Sequence, residues 1–193
     1  MTPFPKGISI FITFAVQIDF VEVTILYLPH TSAAQCGGSK QTKMDKNETY
    51  KLLLAQVKAM VKDESDPIAN MANVAALIQE AFHFWWTGFY RVVDNQLVLG
   101  PFQGPVACTR IGFGKGVCGT SWKEKKTLVV KDVELFPGHI ACSSESKSEI
   151  VVPLFKGDEV ISVLDIDSER LATFDETDKE WSEQIAEVVA AKL

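Results

Sequence analysis

Two short apolar runs separated by a glycine turn constrain the fold most. Glu149–Phe155 and Glu159–Asp165 flank Lys156-Gly157-Asp158. Such runs are shorter than ordinary helices and rich in β-branched residues, and a three-residue loop with glycine joins them as an antiparallel hairpin. A second pair precedes them, Gly88–Val93 and a strand from Gln96 toward Phe102, around the turn residues Asp94-Asn95. Thr127–Val133 reads as one more strand, and the segments 103–120 and 134–148 read as loop. Helical spacing brackets these strands. Tyr50, Leu53, Leu54, Val57, Met60 and Val61 form one stripe, with Asp45 or Asn47 as N-cap. Asp66-Pro67 opens a second helix through Ile68, Met71, Ala75, Ile78 and Phe82. Asp175 caps a third, with Asp178 at the capping-box position and Trp181, Ile185, Val188 and Val189 as its apolar face. Helices at both ends of a run of hairpins specify an α+β domain with a largely antiparallel sheet.

The 193 residues suffice for one domain with a substantial core and some appended material. A net charge of -6, with no basic run, argues against a nucleic-acid partner. No stretch holds the roughly 20 uninterrupted apolar residues of a membrane helix. Residues 1–43 read apart from the rest. Lys6 precedes the apolar Ile8 to Val16, and Ser32-Ala33-Ala34 offers small residues to a peptidase, yet Asp19 and Glu22 interrupt the pattern of a secretory leader. They are taken as an extension, a leader or upstream sequence ahead of Met44, with residues 44–193 as the domain proper. Cys36 belongs to the extension. The C-terminal Ala191-Lys192-Leu193 resembles a peroxisomal address but reads as a helix end.

Cys108, Cys118 and Cys142 lie in surroundings rich in glycine, serine and proline. Buried packing accounts for many free cysteines, but three in loop-like sequence point to working thiols in a reducing, cytoplasmic setting. Cys142 is the best nucleophile candidate, with His139 three residues before it and Lys147 five after, either able to favour a thiolate. Zinc on Cys108, Cys118, Cys142 and His139 lacks the tight ligand spacing of a knuckle, so no metal is expected. Gly114-Lys115-Gly116-Val117-Cys118-Gly119 matches G-x-G-x-x-G, but Thr120 to Lys126 leaves too few residues for a crossover helix, and the dinucleotide reading is rejected. Period-2 geometry puts Asp165 and Asp167 on one strand face with Ile161 and Val163, while Leu164 and Ile166 point the other way. A frayed strand end would explain the two aspartates. So would a pocket for a cation, which Glu149 could join and Trp86 could wall.

Six blocks together closely resemble the free methionine-(R)-sulfoxide reductases, which are GAF-fold enzymes. They are Trp86-Thr87-Gly88-Phe89-Tyr90, residues 99–104, residues 114–119, Phe136-Pro137-Gly138-His139-Ile140-Ala141-Cys142, residues 148–154 and Leu164-Asp165-Ile166-Asp167-Ser168. The resemblance implies a six-stranded antiparallel sheet with helices on one side and a ligand cavity on the other. It implies Cys142 as catalytic thiol, Cys108 and Cys118 as the other redox cysteines with Cys108 the main resolving one, and Trp86, Glu149, Asp165 and Asp167 as the substrate pocket. Ser143 departs from the family, which commonly has Asp there. The implied chemistry is attack of the thiolate on the sulfoxide sulfur, protonation of its oxygen by a carboxyl group, and passage through a sulfenic acid to an intramolecular disulfide. Thioredoxin, or dithiothreitol in vitro, is the expected reductant. No bound cofactor is expected, and a homodimer is compatible with the sequence. A non-catalytic GAF module that binds a small ligand, or a thiol-based oxidant sensor, would share the fold; the first has no need of thiols.

Overall fold

The computed structural model describes residues 45–140 and 144–193. The extension 1–43, Met44, Cys142 and Ser143 lie outside the described residues.

The first two helices are α1 (Lys46–Val61) and α2 (Pro67–Phe82). Asp66 accepts hydrogen bonds from the backbone N–H groups of Ile68 and Ala69, so the Asp-Pro pair starts α2 as its chemistry predicts. Asp45 precedes α1 but makes no side-chain cap. Asn47, the alternative cap, accepts instead from Trp181 Nε1 at 3.0 Å. The expected stripes were one residue too wide, since Met60 and Ile68 are exposed.

Strands β1 (Trp86–Val93) and β2 (Gln96–Gln103) meet at Asp94 and Asn95, both with positive φ, the geometry that matches the twist of a two-residue hairpin. After β3 (Arg110–Gly112) comes a helix the sequence reading missed, α3 (Gly116–Glu124), which begins inside the glycine motif. Then follow β4 (Leu128–Val130), a 3₁₀ turn at Val133–Leu135, β5 (Ser148–Lys156), β6 (Glu159–Ser168) and α4 (Glu176–Ala190). The β5–β6 turn is two residues, Gly157 and Asp158, because Lys156 pairs with Glu159. It is not the three-residue loop the sequence suggested.

The six described strands form one sheet in the order β3-β2-β1-β6-β5-β4, every neighbouring pair antiparallel. Strand alternation sorts side chains into two apolar clusters. On one face Phe89, Ile150, Val152, Leu154, Leu164 and Ile166 pack with α1, α2 and α4. On the other, Tyr90, Val151 and Val163 pack with Val117 and Trp122 of α3. The helices are thus not all on one side: α3 shares the second face with the pocket described below.

β3 and β4, which flank α3 in sequence, stand at opposite edges of the sheet. The motif therefore has its helix but not the adjacent parallel strands of a dinucleotide-binding unit, and the rejection holds for that reason. Gly119 is needed where α3 crosses β3, since a Cβ there would collide with the carbonyl oxygen of Gly112. At the other end of the domain, Asp178 completes the capping box of α4, accepts from Tyr50 Oη at 2.9 Å and pairs with Lys46 at 2.5 Å. One buried carboxylate thereby ties α4 to α1.

Candidate active site

The pocket lies on the α3 face, where β1, β6 and β5 run side by side. Register fixes its floor. Asp167 stands between Trp86 on β1 and Glu149 on β5, and Asp165 stands between Gly88 and Val151. The absence of a side chain at Gly88 is used by a neighbour: a Cβ there would strike the Trp86 ring at 2.5 Å. The indole consequently lies along β1 beside the carboxylates and stacks on Phe102, with ring centroids 5.3 Å apart. The lining includes Trp86, Tyr90, Cys118, Glu149, Asp165 and Asp167, with Lys115 and Gly116 at the start of α3 and His139 and Ile140 from the loop before the undescribed residues.

Glu149 and Asp165 are buried, and the strand runs on to Ser168, so Asp165 and Asp167 do not form a frayed end. Ser146 Oγ donates to Asp167, and Cys118 Sγ lies 3.8 Å from Glu149 Oε1. Asp165 Oδ1 has no hydrogen-bond partner. Desolvation, followed by the charges of Asp165 and Asp167, pushes the Glu149 carboxyl well up. Desolvation followed by the charge of Asp167 does the same to Asp165. Asp167, also desolvated but stabilised as an anion by Ser146, rises only to about 6. Of the three, Asp167 therefore ionises most readily, while Glu149 and Asp165 hold their protons to higher pH than an ordinary carboxyl group. Burial, with the nearby carboxylates, also pushes the Cys118 thiol up and keeps it protonated.

This arrangement opposes folding. A carboxyl whose folded pKa is raised costs nothing below its unfolded pKa and costs more as pH rises toward the folded value. Asp165→Asn removes that cost. The variant should gain about 1–3 kcal/mol of stability at pH 7, and the gain should vanish near pH 4. Chemical denaturation at the two pH values measures this, and an equal gain at both would show that ionisation is not the cause.

The cysteines divide. Cys118, on the first turn of α3, is a buried free thiol. Cys108 is held in a disulfide, which removes it from the zinc set considered from the sequence. Two side chains of β1 hold the loop that carries Cys108: Trp86 Nε1 donates to Pro105 O at 3.1 Å and Tyr90 Oη to Cys108 O at 3.0 Å. Tyr90 entered the sequence analysis only within the block Trp86–Tyr90, and Ser146 was not singled out; neither stands in a recognisable spacing to the carboxylates. Of the two cations expected to favour a thiolate, His139 lines the pocket with its pKa lowered by burial. Lys147 pairs with Glu134 at 3.2 Å.

A GAF domain model matches residues 69–193. A free methionine-R-sulfoxide reductase of Saccharomyces cerevisiae is 41% identical over 157 residues, 77% of this chain and 87% of that protein. This chain belongs to the free methionine-R-sulfoxide reductase family of GAF-domain proteins. GAF domain-containing protein A of Dictyostelium discoideum is 55% identical over 77% of this chain and 94% of its own length. Among solved structures, the free methionine-R-sulfoxide reductase of Neisseria meningitidis in complex with its substrate is 52% identical, with a TM-score of 0.77 over 78% of this chain and 92% of that one. The α+β class and six-stranded antiparallel GAF sheet expected from the sequence agree with both comparisons. Among the described residues, no helix is long and apolar enough to cross a membrane.

Proposed function

We propose that this chain reduces free L-methionine (R)-S-oxide to L-methionine. The observation that carries the reading is the orphaned Asp165 Oδ1 in a trio of carboxylates, Glu149 and Asp165 buried and Asp167 half-buried, beside the Trp86 indole. Buried polar atoms find partners in stable proteins, and an ammonium group supplies one here. Anionic Asp167 attracts that ammonium, which a free amino acid carries and a residue inside a peptide does not. Trp86 offers an apolar face for the side chain bearing the sulfoxide.

In the reaction, the Cys142 thiolate attacks the sulfoxide sulfur while a proton held by the Glu149–Asp165 pair passes to the sulfoxide oxygen. The oxygen leaves with Cys142 as a sulfenic acid and methionine departs with the sulfur electron pair. The Cys108 thiol then displaces water to form a disulfide, and a thioredoxin-type dithiol restores both thiols by exchange. The disulfide at Cys108 and the free, protonated state of Cys118 support Cys108 as the resolving residue. We place the reaction in a reducing compartment such as the cytoplasm.

Incubation with dithiothreitol and each methionine sulfoxide epimer, free and peptide-bound, tests the reading. Methionine should form from the free R epimer alone. Equal rates on peptide-bound sulfoxide would overturn it. Binding without turnover would favour a ligand-binding GAF module.

A further inference from the structure

We infer that Cys118, Glu149 and Asp165 form a binding site for one Zn²⁺ ion, which competes with the substrate ammonium for the same carboxylates. One ligand atom from each of the three residues lies within 4.8 Å of the others, and all three side chains are buried. Zinc with one sulfur at about 2.3 Å and two oxygens at about 2.0–2.2 Å holds its ligands roughly 3.3–3.7 Å apart. Cys118 Sγ and Glu149 Oε1, at 3.8 Å, are already near that spacing. The widest separation needs to close by about 1 Å. Asp165 Oδ1, without a hydrogen-bond partner on a side chain only 6% exposed, is a second observation that points to a cation here.

The donor set suits the metal. Thiolate, imidazole and carboxylate bind Zn²⁺, whereas Mg²⁺ and Ca²⁺ take oxygen ligands and gain nothing from the sulfur. On binding, the Cys118 S–H bond breaks, its proton goes to water and an S–Zn bond forms. Any proton on Glu149 or Asp165 leaves in the same way. The three ligands leave a coordination position for water. The metal occupies the carboxylates that the ammonium needs and displaces the proton that the sulfoxide oxygen needs, so it inhibits. The inhibition rests on the activity proposed above; the binding does not.

The disulfide form of the protein separates this site from the Cys108 thiol, because Cys118 remains free when Cys108 is paired. Protein purified in that form should bind one equivalent of Zn²⁺ by calorimetry. With Co²⁺ substituted, it should show thiolate-to-metal charge transfer. Cys118→Ala should lose the charge-transfer signal and at least about 10–100-fold in affinity, the loss that removal of even an outer partner of a metal ligand produces. Asp165→Asn, expected to fold more stably than wild type, should lose comparable affinity while keeping its thermal transition. No binding, or binding that both variants retain, overturns the site. In a single turnover of reduced protein without added thiol, Zn²⁺ should suppress methionine release, with excess methionine sulfoxide or a chelator restoring it. Metal bound without inhibition overturns the competition. No methionine release even without zinc overturns the activity and leaves the binding result standing.

Discussion

Cys142→Ser should lower turnover of free methionine-(R)-sulfoxide by at least about 10³-fold, because a hydroxyl is a far weaker nucleophile without a strong base beside it. The serine variant should still bind the substrate, since the carboxylates and Trp86 are untouched. Cys108→Ser should behave differently, releasing one equivalent of methionine and then stalling with thioredoxin. Quantifying methionine in the burst and the steady state distinguishes the two. Near-wild-type turnover by the Cys142 variant would remove that thiol from the mechanism.

Asp167→Asn should lower kcat/KM by about 10²-fold, through loss of the carboxylate of the trio that ionises most readily. The pH profile carries the sign. With its pKa pushed up to about 6, Asp167 is neutral below that value and anionic above it, so wild-type kcat/KM should rise from pH 5 to 7. It should fall again at higher pH, as Glu149 and Asp165 give up their protons. The ascending limb near pH 6 should be missing in the variant. N-acetylation of the substrate removes the ammonium and should impair the wild type far more than the variant, since both changes break the same contact. Full additivity in that cycle would show that Asp167 does not read the amino group.

The carboxylates were legible in the sequence because strand alternation has a period of two, which put Asp165 and Asp167 on one face without any knowledge of neighbours. Their setting was not. That Asp167 lies between Trp86 and Glu149 is a matter of register between strands far apart in the chain, and Ser146 reaches Asp167 from a loop with no periodic signal. The α1, α2 and α4 stripes were visible in outline, though Met60 and Ile68 proved exposed because spacing alone does not set the width of a buried face. α3 was unreadable for a physical reason. Gly116 and Gly119 weaken its helix propensity, and burial of Val117, Cys118 and Trp122 together with the close crossing over Gly112 outweighs that deficit.

The sorting of alternate residues onto opposite faces of the sheet has an evolutionary corollary. Leu164 and Ile166 answer to the helical layer, while Asp165 and Asp167, the next residues along the same strand, answer to the pocket. Selection can therefore act on adjacent codons almost independently. Substitutions at Asp165 and Asp167 can thus change the pocket floor while the residues that Leu164 and Ile166 pack against stay as they are.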